Sequence, residues 1–351
     1  MNTRLYSLDY LRGLCAFGIM IYHYLLWIDG VFTSDQFLGR VGVYGVAIFY
    51  VLSGLTLYHV YQPAFANRTF SLSNFFKKRI YRIFPLLWLA TFGAIILSQK
   101  LPNVTDLILN LTGLFGFFRW HVYFSTGVWS IGNELVFYTL FPIIALASVR
   151  KPIWMASIAL ITAALHSYFA YVAINPWVKL QDQWDIYVNP LNQVAFFLFG
   201  CILGYLTKTV AVNRIVSLMI MACGIILFIA TPARGNAVSL VEGNNRWIFT
   251  IASLMICLGV YKSSVQLPGM LHTFFKFLGE SSYSLYLLHP LVFTVWAFLF
   301  HSAEASGIAF PRAIQLIVPV AISIALSYFV YRYFEQYFMR LGRHSSPGSP
   351  S

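Results

Sequence analysis

Arg12 and His23 lie eleven residues apart in the apolar stretch LDYLRGLCAFGIMIYHYLLWI (residues 8–28), and both are costly side chains for a membrane-length segment. Eleven residues is just over three helical turns, so the two side chains face nearly the same way, about 16 Å apart along the axis. A guanidinium at one end of that face can grip phosphate. An imidazole further along it can accept a proton near neutral pH. The stretch GVWSIGNELVFYTLFP (127–142) adds Glu134, the only acidic residue well inside the predicted spans. Counted along their helices, Glu134 is expected about 12 Å and His23 about 8 Å below the same membrane surface. A pair is therefore expected, with Glu134 orienting and charging the His23 ring.

Two further segments carry chemistry-bearing residues. FFKKRIYRIFPLLW (75–88) places four cations before a span, on the side where Arg12 sits. Arg79 and Arg82, at i and i+3, share a helix face and are a candidate phosphate or pyrophosphate grip, with Pro85 expected to kink or restart the helix. SSYSLYLLHPLVF (281–293) carries Tyr286 and His289 at i and i+3, with Pro290 disturbing the helix beside them. Each feature also has a plain structural reading. The histidines serve equally as hydrogen-bonded core residues, the cations as topology anchors, and Glu134 as a group held by a backbone cap or by Arg119. His59 and His166 are isolated and read as structural or interfacial.

These residues need a membrane bundle to position them. The chain has 351 residues, 59% hydrophobic and only 10% charged, too few charges to cover a water-facing surface. Apolar runs recur from end to end and predict ten spans of about 20 residues each. They lie near 10–28, 43–61, 83–98, 126–148, 153–174, 190–206, 213–231, 247–261, 284–301 and 313–332. The first run reads as a span rather than a cleaved signal peptide, and the short apolar stretch 104–118 as re-entrant or interfacial. With both termini cytoplasmic, sixteen Lys and Arg residues fall on the inner side and seven, Arg40 and Arg246 among them, on the outer. That bias satisfies the positive-inside rule.

The expected fold is all-α: a polytopic bundle of about ten transmembrane helices, N-in and C-in. The formal charge of +12 is spread in short clusters between apolar runs, as topology signals are, so nucleic acid is not an expected partner. Cys15, Cys201, Cys223 and Cys257 lie in apolar runs without metal-ligand spacing. Buried free thiols are expected, with no disulfide and no metal site.

Together the motifs resemble acyltransferase family 3, integral-membrane enzymes that acylate cell-surface polysaccharides. Arg12 and His23 match its arginine-x10-histidine signature, and GVAIFYVLSGLTL (45–57) its second-span motif ending in Ser53-Gly54. KRIYRIFP (78–85) is similar to its arginine-x-x-arginine segment, WSIGNELVFY (129–138) to its tryptophan–serine–carboxylate block, and YSLYLLHP (283–290) to its late tyrosine–histidine block. Ala47 stands where relatives commonly have aspartate, and Leu135 where many have a second carboxylate, so neither missing role carries over.

The resemblance implies a membrane acyltransferase domain over residues 1–335 and a cytoplasmic tail over 336–351, disordered at its end. It implies a cytoplasmic acyl-CoA donor, most often acetyl-CoA, and as acceptor a sugar hydroxyl of a polysaccharide or of its lipid-linked precursor. Cofactor contacts are then expected from Arg12, Arg79, Arg82, Tyr286 and His289. The expected catalytic groups are His23 as base, Glu134 stabilising the imidazolium, and Ser130 as a donor near the oxyanion. Direct attack and a covalent acyl-histidine relay both remain open. Some relatives carry an additional extracellular hydrolase-like domain; none is expected here, so the chain is expected either to finish the transfer itself or to pass the acyl group to a partner transferase. The implied location is the cytoplasmic (inner) membrane, amid membrane lipid. The rival reading from another class is a proton-coupled transporter or lipid-linked sugar flippase, which would also bury His and Glu as a relay. A non-catalytic scaffold is the third.

Overall fold

The computed structural model describes residues 5–308 and 310–344, and among these the chain is helical with no strand. Three long helices open the fold: α1 (Tyr6–Asp29), α2 (Phe37–Ala66) and α3 (Leu72–Ser98). The stretch read as re-entrant or interfacial forms two short helices, α4 (Val104–Thr112) and α5 (Phe115–Phe118). Then come α6 (Val128–Ser148), α7 (Pro152–Tyr168), a short α8 (Trp184–Tyr187), α9 (Pro190–Thr207) and α10 (Arg214–Ala230). The last third holds α11 (Val238–Val241), α12 (Gly243–Ser263), α13 (Gly269–Glu280), α14 (Ser282–Ala305), α15 (Arg312–Phe329) and α16 (Gln336–His344). Side-chain caps mark several starts, as expected for Ser and Asn before a helix. Ser71 accepts from the Asn74 amide ahead of α3, and Asn103, Asn189 and Asn213 do the same for α4, α9 and α10.

Each of the ten predicted spans falls on a helix. Among the described residues, eight helical segments are long and apolar enough to cross a bilayer: Tyr6–Asp29, Phe37–Ala66, Leu72–Ser98, Val128–Ser148, Pro152–Ala173, Pro190–Thr207, Ser282–Ala305 and Arg312–Gly342. The chain is a multi-pass membrane protein. At 17 residues α10 is shorter than these eight, and α12 is not one of them, its first turn being the polar sequence GNNR. α3 starts eleven residues before the predicted third span and runs unbroken past Pro85, so the whole basic cluster is helical. Residues 336–344 of the expected tail form α16, which packs on α3; the disorder expected at the tail's end falls on 345–351, outside the described residues.

α2 is the most buried of the eight and sits at the bundle's centre. It crosses α9 with backbones almost touching: a Cβ on Gly54 would come within 2.1 Å of the Phe197 carbonyl oxygen, and one on Gly200 within 2.2 Å of that of Val51. Small residues permit such close crossings in membranes, where packing rather than the hydrophobic effect drives association. Two of the seven cations expected on the outer side are not loop charges. Arg40 is buried in α2 and donates to the carbonyls of Phe228, Ile229 and Thr231 at the end of α10, groups that have no partner within their own helix. Arg246 is buried in the first turn of α12. The four cysteines are free, as expected, but Cys223 is exposed rather than buried.

Candidate active site

A cavity of about 240 Å³ opens between α1, α2, α3, α6 and the start of α14. Six of the eight residues singled out in the sequence line it: Arg12, Arg79, Arg82, Ser130, Glu134 and Tyr286. Arg79 and Arg82 reach it together because both lie on one face of α3. The three guanidinium groups face a single lining carboxylate, so the cavity carries excess positive charge.

Much of that donor capacity is unspent. Arg12 donates Nη2 to Thr56 Oγ1 at 2.7 Å and Nη1 to Asp9 Oδ1 at 3.3 Å. Arg79 lies near the rings of Tyr61, Phe75 and Tyr138 and donates Nη2 to the Tyr61 hydroxyl at 3.3 Å, but its buried Nε has no partner. Arg82 is exposed, and its side chain has no hydrogen-bond partner among the described residues. A buried N–H without an acceptor is costly, and an anionic ligand would satisfy it.

The expected Glu134–His23 pair does not form. Glu134 Oε1 instead accepts from Ser53 Oγ at 2.9 Å and from the Tyr138 hydroxyl. His23 Nδ1 lies 2.9 Å from Nε2 of His289. Counting from span ends put them at one depth, but Glu134 meets α2 at Ser53, whereas Tyr22, next to His23, packs on Gly42, eleven residues and about 16 Å further along α2.

His289, expected at the cofactor, is likewise not in the cavity lining. It is fully buried one turn beyond Tyr286, whose ring centroid is 6.1 Å from its own. Tyr286 thus forms the wall between the cavity and the histidine pair. Its hydroxyl receives Ser130 Oγ–H at 3.0 Å and donates to the Gly127 carbonyl at 3.2 Å. Ser130 also lies 2.8 Å from that carbonyl, so its one proton is already engaged and must swing away to serve an oxyanion. Gly127 allows this junction: its φ is +88°, and a Cβ there would press on the Tyr286 ring at 3.1 Å.

Sequence reasoning missed several members. Tyr138 was within reach of it, being i+4 from Glu134 on the same face. Ser53 lay in a quoted motif with no role given. Thr56 lay in the same motif, and neither it nor Tyr61 signals its role locally, because their arginine partners come from other helices. Glu335, buried beyond α15, accepts the hydroxyl of Ser284 in the first turn of α14 and ties down the helix that carries Tyr286 and His289. Among the described residues no group of three His, Cys, Asp or Glu could hold a metal ion.

A multi-pass helical bundle with a basic cavity and, behind it, a histidine pair of which His289 is buried is the class that fold and site define. The model of the acyltransferase domain of family 3 matches residues 5–332, and the chain belongs to that family. It is similar to O-acetyltransferase OatA of Staphylococcus aureus strain NCTC 8325 / PS 47, at 24% identity over 319 residues, covering 82% of this chain and 50% of the relative. A provisionally named O-acetyltransferase of S. aureus strain COL is 24% identical over 384 residues, covering 98% of this chain and 59% of the relative. The chain therefore spans little more than half the length of these curated relatives. No solved structure matches it significantly.

Proposed function

We propose that the chain is a membrane O-acyltransferase moving an acetyl group from acetyl-CoA to a sugar hydroxyl of a cell-surface polysaccharide or its lipid-linked precursor. The observation that carries this reading is the convergence of three guanidinium groups with unspent donors on one cavity. Coenzyme A offers several phosphates to such donors, and charge-assisted contacts of this kind are the strong ones. At about 240 Å³ the cavity is smaller than the roughly 300–1,000 Å³ of sites that enclose drug-sized ligands. It suits the slender pantetheine arm, with the nucleotide left at the mouth. The family, and relatives named as O-acetyltransferases, support the same class of reaction.

In this reading the Arg12 end of the bundle faces the cytoplasm of the inner membrane, and the thioester reaches His23 by passing Tyr286. His23 removes the proton from the acceptor hydroxyl as its oxygen attacks the thioester carbonyl. The carbon–sulfur bond breaks, and the departing sulfur takes the proton back from the imidazolium. Placing a base in this way contributes about 10²–10⁴ in rate. Glu134, held by Ser53 and Tyr138, balances the cavity's charge rather than His23's.

The test is transfer of label from radiolabelled acetyl-CoA to the host's surface polysaccharide, in membranes with and without the protein. Protein-dependent label is expected. Its absence with every acyl-CoA and acceptor tried, together with solute movement that consumes no acyl-CoA, would establish the transporter reading instead.

A further inference from the structure

A histidine can act as a base only through a nitrogen that carries no proton, and the structure bears on which nitrogen of His23 that is. The rings of His23 and His289 are 13° from parallel with centroids 5.1 Å apart. Given the Nδ1–Nε2 separation of 2.9 Å, that centroid distance is the N···N distance plus one ring radius on each side. The rings therefore lie nearly in one plane with these two nitrogens facing each other. The other nitrogen of His289, Nδ1, is 3.1 Å from the Leu285 carbonyl oxygen one turn back on α14. A carbonyl only accepts, so this nitrogen carries a proton.

A neutral imidazole has one N–H. With Nδ1 of His289 protonated, its Nε2 is an acceptor, and the hydrogen between the rings belongs to Nδ1 of His23. Nε2 of His23 is then the nitrogen with the lone pair, and it has no hydrogen-bond partner among the described residues. The opposite arrangement needs an imidazolium at His289. The groups around the pair include Tyr24, whose hydroxyl donates to the His289 carbonyl at 2.9 Å, together with Tyr22, Trp27, Tyr286 and Phe293. None is acidic, and a buried cation without a carboxylate is disfavoured.

We propose that His289 is a positioning residue that locks His23 into its Nδ1–H tautomer and so leaves Nε2 as the proton acceptor. This deepens the acyltransferase reading and rests on it for its kinetic consequence. When Nε2 takes the acceptor's proton, the Nδ1–H bond to His289 strengthens and the new positive charge is shared across the pair.

The tautomers are read directly from ¹⁵N-histidine solid-state NMR of the full chain in bilayers, with resonances assigned by their loss in His23→Ala and His289→Leu. Protonated Nδ1 and bare Nε2 on both rings is the expected pattern; a protonated Nε2 on His23 overturns the proposal, whatever the reaction proves to be. Kinetically, His289→Leu should lower kcat about 10²-fold while KM for acetyl-CoA stays within about twofold of wild type. His289→Gln, whose amide oxygen can accept the Nδ1 hydrogen, should recover most of that loss. Equal rates for Leu and Gln would reduce His289 to a packing residue. An active wild type with an active His289→Leu sinks this inference alone, whereas an inactive wild type counts against the acyltransferase reading and leaves the NMR to decide the tautomer.

Discussion

Two regions of this bundle use arginine and histidine with opposite outcomes. Arg246, 1% exposed, spends its donors on protein: Nη2 on the Asn192 carbonyl at 3.1 Å and Oδ1 at 2.6 Å, Nη1 on the Val241 carbonyl at 3.3 Å, and Nε on His166 Nδ1 at 3.4 Å. His166 in turn faces Thr250 Oγ1 at 3.1 Å, whose hydrogen goes to the Arg246 carbonyl at 2.6 Å. The loop is closed. In the other region Arg12, Arg79 and Arg82 keep donors free and line a cavity, and His23 keeps a lone pair. The residue types are the same, but the closed loop is fully buried, whereas Arg12, Arg79 and His23 are half-buried and Arg82 is exposed, and only this second region keeps hydrogen-bonding capacity unspent. A saturated cluster holds helices α7, α9 and α12 together, and an unsaturated one is available to a ligand.

The comparison is tested most severely at His23. His23→Ala should lower acetyl transfer by about 10²–10⁴-fold, with insertion and folding intact by detergent-solubilised size-exclusion profile; undiminished label would make the unsaturated cluster as structural as the other. The matching change in the closed loop is Arg246→Met. It should lower stability by roughly 2–4 kcal/mol through lost charged hydrogen bonds and orphaned partners, seen as a lower thermal midpoint, while KM for acetyl-CoA in the folded fraction stays near wild type. A large KM change there would erase the distinction.

Smaller effects sharpen the roles inside the cavity. Arg79→Gln should raise KM for acetyl-CoA about tenfold with kcat little changed, as expected for one lost charge-assisted phosphate contact. Glu134→Gln keeps an oxygen for Ser53 and Tyr138, and kcat should change by less than about fivefold, well short of the loss of a general base. A hundredfold fall would instead make Glu134 the base and His23 its support. The least kinetic effect is expected from Thr250→Val, which should cost about 2 kcal/mol of stability for its two neutral hydrogen bonds, with no kinetic change.

Much of this was legible before any fold was known. The helix periodicity of 78–88 put Arg79 and Arg82 on one face, and the family motifs gathered six of the cavity's residues in advance. What could not be read was who meets whom. His23 and Glu134, put at one depth by counting from span ends, lie about three helical turns apart along α2, and Arg40 and Arg246 were counted as loop charges because a sequence does not show which carbonyls will surround a guanidinium.

By itself the sequence determined that the chain must sit in a bilayer, because its few charges cannot clothe a soluble surface. It also determined where along each helix the polar groups fall, because hydrophobic runs and the 3.6-residue repeat are local properties. Only the tertiary structure decided that His23 bonds to His289, 266 positions away, that Glu134 turns to Ser53, and that Tyr286 stands between cavity and histidines. Those outcomes depend on which helix faces pack together, and in a membrane that choice rests on close crossings such as Gly54 against Gly200 and on pairing polar groups between helices.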